Sequence, residues 1–358
     1  MSQDPVVQKT VLFDAHVALK ARMVPFAGWM MPVQYSGILE EHMHTRTAAG
    51  LFDICHMGEF YVRGANAGAA IDRLVTQRLD NLAIGQGRYG FLLNDDAKVL
   101  DDLIVFKLSD EEFFIVVNAG TRQKDADWMK SHLLEGATFE DASDRIAKLD
   151  IQGPLSGEIM AALAPEANIP SINRFHGKQI TLKGVSVFIS RTGYTGELGY
   201  ELYFDVSAAD KIWNLLLSAE DVKPIGLGAR DTLRLEKGMS LYGHELDEAH
   251  TPLESSLERF VYWDKEFIGR EKLLRQKETG LPRILTGFVC EGRRAAREHF
   301  EVRVNDEVVG EVTSGGFSPC LSRGVGLCRI DQHLAQPGQA ITLMQGNVQI
   351  PAVIQAPP

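Results

Sequence analysis

Residues Arg191–Tyr203 (RTGYTGELGYELY) place three glycines, three tyrosines and two glutamates in 13 positions. That mixture suits neither a regular strand nor a helix. Glycine supplies backbone conformations that other residues avoid, and the tyrosines supply flat faces. Two readings stand. The segment is a Gly-rich hairpin connection with ordinary surface carboxylates, or it is a loop that closes on a flat, polar ring ligand.

A second candidate is Val99–Val105 (VLDDLIV), where adjacent carboxylates interrupt an apolar run. In a strand Asp101 and Asp102 point to opposite faces. Aspartate is a poor strand residue and costly to bury without partners. Either it satisfies backbone donors at a strand end, or it is a catalytic carboxylate on a rigid element. Asn118 closes the run FFIVVNAG. It reads as a turn residue, or, if the two runs pair antiparallel, as an amide close to Asp102 and a further donor for a ligand. Tyr89, in GRYGFLLN, reads by itself as a half-buried aromatic. Asp53, Cys55 and His56 fall within four residues of DICHMGE. Triad members converge from separate elements, so no Cys–His nucleophile is expected there. The chain carries no GxSxG, Walker A or GxGxxG pattern, which leaves simple hydrolase, nucleotide-phosphate and nicotinamide chemistry without support.

The elements that must position these residues follow a repeated plan. Residues 37–49 read as a helix ending at Gly50, 59–62 as a strand and 66–76 as a short amphipathic helix. Residues 103–108 and 112–118 are two β-branched runs joined by a polar turn, followed by a helix over about 121–134. Residues 185–191 and 200–205 are again two strand-like runs, followed by a helix over 207–219 with Ser207 as its cap. Between them, 148–152 reads as a strand and 155–163 as a helix. Strand, strand, helix thus occurs twice, which suggests two antiparallel α+β units of ferredoxin-like type. Residues 226–238 read as a helix with Arg230 and Arg234 on one face. Beyond about residue 280 short strand-like runs separated by Gly, Pro, Asn and Asp predict a small all-β barrel or sandwich. The expected regions are therefore 1–278 and 279–358.

The 358 residues suffice for two or three domains, and 45% hydrophobic and 24% charged content is ordinary for a soluble globular chain. A net charge of −11 argues against a generic nucleic-acid or anionic-membrane binder. No apolar run reaches the roughly 18 residues of a membrane helix. The N-terminus, MSQDPVVQKT, lacks the basic and apolar regions of a signal peptide, so the cytoplasm is expected. Cys55, Cys290, Cys320 and Cys328 form no CxxC pair; reduced, mostly packed thiols are expected, with no zinc or iron–sulfur site.

Taken together, VPFAGWMMPVQYSG at 24–37, GLFDICHMGE at 50–59, VLDDLIV at 99–105, VVNAG at 116–120, RTGYTGELGYE at 191–201, GLGARDTLRLEKGMSLYGHELDE at 226–248, FIGREKL at 267–273 and GEVTSGGFSP at 310–319 resemble one family closely: the aminomethyltransferase, or T-protein, of the glycine cleavage system. The resemblance implies an α+β fold of two intertwined ferredoxin-like units plus a C-terminal β-barrel, around a central folate-binding opening. It implies transfer of an aminomethyl group from the lipoyl arm of the H-protein to tetrahydrofolate, giving 5,10-methylenetetrahydrofolate, ammonia and dihydrolipoyl carrier. No metal is implied.

By the same resemblance Asp102 is the catalytic carboxylate, an anion that stabilises cationic, iminium-like carbon and helps position or deprotonate the attacking amine. Glu201 would accept the ring N–H and exocyclic amino group of the pterin edge together. Arg230 would meet the anionic glutamyl tail. Tyr194, Asn118, Tyr89 and Met57 would complete the folate-binding set, with Glu197 structural.

Two departures stand out. Arg259 occupies a position where the family commonly has Trp, so a stacking Trp is not carried over. The text ends at Ala356-Pro-Pro358, without the short aromatic tail often found in the family. Two alternatives remain: a tetrahydrofolate-dependent demethylase of a small methylated compound, and a folate-binding iron–sulfur assembly factor. The second is disfavoured by Met239, which stands where such proteins carry Cys.

Overall fold

The computed structural model of the protein describes residues 7–356. Part of the N-terminal stretch read for a targeting signal, and the last two residues of the tail, lie outside the described residues.

The chain divides into two compact units. One holds the chain up to Ile71, Leu79–Arg88 and Leu103–Asp231; the other holds Asp72–Arg78, Tyr89–Asp102 and Thr232 onward. The first unit is built on a six-stranded sheet in the order Gly177–Leu182, Val185–Ser190, Gly199–Asp205, Ile146–Gln152, Ala49–Asp53, Val222–Pro224. All neighbours pair antiparallel except the last, which is parallel. Its core face is apolar because the strands alternate. Ala147, Leu149, Ile151 and Leu202 pack with Met160 of helix Ser156–Leu163 and with Ile212, Trp213 and Leu216 of helix Ala209–Leu217.

A five-stranded sheet has the order Gly87–Leu93, Val99–Ser109, Glu112–Val117, Gly58–Arg63, Thr138–Asp141. Its hairpin is antiparallel, with Ile104 opposite Val116, as the two β-branched runs predict. Helix Arg122–Ser131 follows, and Val185–Ser190, Gly199–Asp205 and Ala209–Leu217 repeat the plan. From Arg283 to Gln355 six antiparallel strands close into a barrel. Phe288, Cys290, Val302, Val312, Cys328 and Ile354 fill its interior. The class is α+β with a C-terminal barrel, and the four cysteines are free thiols. Burial pushes the Cys328 thiol up to about 12. Among the described residues no helix is long and apolar enough to cross a membrane.

Two local expectations fail. Gly50 does not end a helix. The helix is Ile38–Thr47, and Gly50 lies inside strand Ala49–Asp53, where a Cβ would sit 2.6 Å from the Ile225 and Thr45 side chains. Ser207 is not the cap either. Asp205 accepts from the Ser207 backbone N–H at 2.9 Å, opening a short 3-10 turn ahead of helix Ala209–Leu217.

Asp53 ties the N-terminal segment to the first sheet. Its Oδ2 accepts from Thr10 Oγ1 at 2.7 Å and lies 2.8 Å from His16 Nε2, and its Oδ1 accepts from the Cys55 N–H at 2.9 Å. Burial opposes ionisation of Asp53, but the His16 hydrogen bond and charge and the Cys55 backbone N–H outweigh it and bring the carboxyl down to about 2. A depressed acid stabilises the fold above its unfolded value and loses that contribution as pH falls through its folded value. Stability should therefore drop by on the order of 2 kcal/mol between about pH 4 and pH 2 through this group. Urea unfolding from pH 5 to 2 would show it, and Asp53→Asn should flatten that portion of the curve. A variant curve as steep as wild type would contradict the assignment.

Candidate functional site

The strand Ile146–Gln152 alternates apolar and polar residues. Ala147, Leu149 and Ile151 enter the core, so Lys148, Asp150 and Gln152 share the opposite face. Register adds to that face. Lys148 stands opposite Tyr203, Asp150 opposite Glu201 and Gln152 opposite Gly199. The other neighbour contributes Phe52 beside Asp150. Two cationic, two carboxyl and one phenol group, counting Arg230 from helix Leu227–Glu236, thus meet on one largely buried surface.

The Gly-rich loop lies on Gln152. Gln152 Nε2 donates to the Thr192 carbonyl at 3.1 Å, and Thr195 Oγ1 donates to Gln152 Oε1 at 3.0 Å. A Cβ on Gly193 or Gly199 would come within 2.0 or 2.2 Å of that amide, so a side chain at either position would push Gln152 away from its bonds to the loop. Arg46 clamps the loop from the side, donating to the Thr195 carbonyl at 2.6 Å and to Glu197 Oε1 at 2.9 Å. Glu197 is thereby an anchor of the loop.

Glu201 points inward and is 4% exposed. Its Oε2 accepts from Thr192 Oγ1 at 2.6 Å and from the Tyr203 hydroxyl at 2.8 Å, and Lys148 Nζ lies 3.2 Å from Oε1. Burial disfavours the anion. Lys148, the two hydroxyl donors and Arg230 reverse that and hold the carboxyl below its ordinary value. Three of the roughly four acceptor positions of a carboxylate are therefore used by the protein. To accept two ligand N–H groups across both oxygens, one hydroxyl must rotate away.

Arg230 Nη1 donates to Asp150 Oδ2 at 2.8 Å, and its guanidinium lies 5.1 Å from the Tyr194 ring centroid and 5.8 Å from that of Phe52. Met57 is drawn into the same group, its Sδ 3.4 Å from Lys148 Nζ. The structure thus brings Glu201, Arg230, Tyr194 and Met57 together. Asn118 immediately follows the last residue of strand Glu112–Val117 and is half-buried; its carbonyl accepts from the Thr121 hydroxyl at 3.0 Å.

In the second unit the Tyr89 hydroxyl donates to Asp102 Oδ2 at 2.9 Å. The Tyr89 ring meets Phe260 edge-on at 4.7 Å and Phe91 at 5.6 Å, which fixes its direction. Asp101 is fully buried and Asp102 half-exposed, the opposite-face arrangement that strand geometry requires. Arg259 stacks on Phe260, 4.9 Å from its centroid.

Lys148, Asp150, Thr192 and Tyr203 also belong to this group but are not singled out by the sequence alone. One signal was present: polar residues at every second position of an otherwise apolar strand. Cys55 and His56 form no nucleophile pair. The Cys55 thiol donates to the Lys148 carbonyl at 3.3 Å and is pushed up by burial, and His56, lowered to about 4 by burial, is neutral. Glu59 is buried, both its carboxyl oxygens lack a hydrogen-bond partner among the described residues, and burial pushes its carboxyl well up.

A family profile described as the GCVT N-terminal domain matches residues 12–265, and one described as the glycine cleavage T-protein C-terminal barrel domain matches residues 283–358. An aminomethyltransferase from Halothermothrix orenii is 43% identical over 345 residues, 95% of this chain and 96% of the relative. Another, from Picosynechococcus sp., is 41% identical over 355 residues, 98% of each chain. The crystal structure of the glycine cleavage system aminomethyltransferase T from Bartonella henselae superposes with a TM-score of 0.92 at 30% identity, covering 98% of this chain and 97% of that one.

Proposed function

The chain belongs to the aminomethyltransferase family, the T-protein of the glycine cleavage system, and from that premise we propose that it moves the aminomethyl carbon of the H-protein lipoyl arm to tetrahydrofolate. Ammonia, 5,10-methylenetetrahydrofolate and dihydrolipoyl H-protein are the products. The observation that carries the reading is Glu201: a buried carboxylate kept ionised by Lys148, Thr192 and Tyr203. Such a group suits a flat ligand edge that offers N–H donors, as a reduced pterin does.

In this reading Glu201 accepts the pterin N–H groups, Tyr194 and Met57 lie against the ligand and Arg230 takes a glutamyl carboxylate. Asn118 supplies an amide to the same ligand. Asp102, aimed by the Tyr89 hydroxyl, places a negative charge where cationic carbon develops and helps position the attacking amine. Tetrahydrofolate is the acceptor substrate, and the chain's residues bind it, orient it and balance charge.

Mixing the protein with aminomethylated H-protein and tetrahydrofolate should release ammonia and methylenetetrahydrofolate in equal amounts. Folded protein that gives neither product would refute this reading.

A further inference from the structure

Arg230 is already engaged within its own unit. Its Nη1 donates to Asp150 Oδ2 at 2.8 Å. Asp150 is fully buried, and its other oxygen, Oδ1, has no hydrogen-bond partner among the described residues. Half of this carboxylate is thus satisfied by one guanidinium and half by nothing, an expensive arrangement unless the guanidinium stays or the charge is lost.

The groups around Asp150 decide which happens. On its own strand Lys148 is paired with Glu201. On strand Gly199–Asp205, Glu201 stands directly opposite and is ionised, and the Tyr203 hydroxyl is spent on Glu201. On strand Ala49–Asp53 the position opposite is Phe52, which carries no charge, and just beyond it the neutral His56 lies near Arg230 and Lys148. Helix Leu227–Glu236 supplies Arg230. Among the described residues, only Arg230 is committed to Asp150 by a hydrogen bond. Burial and the Glu201 charge, against Arg230 and Lys148, bring Asp150 up to about 7.

We propose that Asp150 is a built-in stand-in for the ligand's anionic group: it holds Arg230 while no ligand is bound, and when a ligand carboxylate takes Arg230, Asp150 takes up one proton from solvent. This rests on the reading that Arg230 meets the glutamyl tail. The balance is simple: one N–H···O contact is exchanged for another, and one O–H bond forms on Asp150. A buried carboxylate that loses its guanidinium beside an ionised Glu201 is neutralised rather than left charged. The sign follows. Ligand binding favours protonated Asp150, so affinity is flat below about pH 7, where Asp150 is already protonated, and falls above it by up to about tenfold per pH unit.

The test is calorimetric titration of the full-length protein with tetrahydrofolate, at pH 6 to 9, in buffers of different ionisation enthalpy. The expected result is uptake approaching one proton at pH 8 and none with a tetrahydropterin that lacks the glutamyl tail. Asp150→Asn should remove both the uptake and the pH dependence. In the ligand-free protein, a carboxyl C=O infrared band should titrate near neutral pH and vanish in that variant. Wild-type binding that is independent of pH and proton-neutral would overturn the proposal while leaving folate binding intact. So would proton uptake that persists in Asp150→Asn. Absence of folate binding at every pH would instead overturn the reading of Arg230 and Glu201 on which it rests.

Discussion

Glu201→Ala is expected to weaken tetrahydrofolate binding by about 2–4 kcal/mol, the range for deleting a charged acceptor from a buried site. The effect has two sources. The ligand's N–H donors lose their acceptor. Lys148, which is 2% exposed and whose ammonium lies 3.2 Å from Glu201, is left without its anion, and orphaning one member of a buried pair costs about 3–5 kcal/mol. Part of the second loss falls on the fold, so the variant should also melt earlier. Glu201→Gln separates the two effects. It keeps the side-chain shape and can accept from Thr192 and Tyr203, but it removes the charge. Its folding should suffer less than that of Glu201→Ala while its affinity remains low. Calorimetric titration with a parallel thermal melt measures both quantities. A dissociation constant equal to wild type in either variant would remove Glu201 from ligand recognition.

Asp102→Asn is expected to lower turnover by about 10²–10³-fold, the usual size for removing one preorganised electrostatic contact, with folate affinity nearly unchanged. The separation follows from geometry. Asp102 is half-exposed and bonded to Tyr89, whose ring is wedged against Phe260 and Phe91. Asparagine keeps the size and can still accept from the Tyr89 hydroxyl, so the local structure has little reason to move. What disappears is the negative charge that would face cationic carbon. Single-turnover ammonia release with saturating folate reads the chemical step directly. Full activity in the variant would take Asp102 out of the mechanism.

Much of the fold is readable from local pattern. The β-branched runs at 103–108 and 112–118 and the short strands after residue 280 carry a period-2 signal that survives without knowledge of neighbours. Gly50 departs from the local expectation because a glycine after a helix signals a stop, whereas here it serves a close approach of Ile225 and Thr45, contacts that lie far away in sequence or on another element. The Gly-rich loop is legible by composition alone only as a choice between two readings; the longer set of motifs favours the one that closes on a ligand. Within it the distinction between Glu197 and Glu201 has a physical basis that composition does not contain. Glu197 meets Arg46 at the loop's side, and Glu201, four residues on, is inside a strand and faces Lys148.

By itself the sequence determined the alternation of strand Ile146–Gln152, the Gly-rich loop, the paired aspartates and the barrel, because each is written in neighbouring residues. Only the tertiary structure decided that Asp150 stands opposite Glu201, that Lys148 pairs with Glu201 and Arg230 with Asp150, and that the Glu201 carboxyl is held below its ordinary value while that of Asp150 is pushed up. The reason is that strand register and burial join residues from separate parts of the chain, and a carboxyl group's charge depends on what those partners bring within a few ångströms of it.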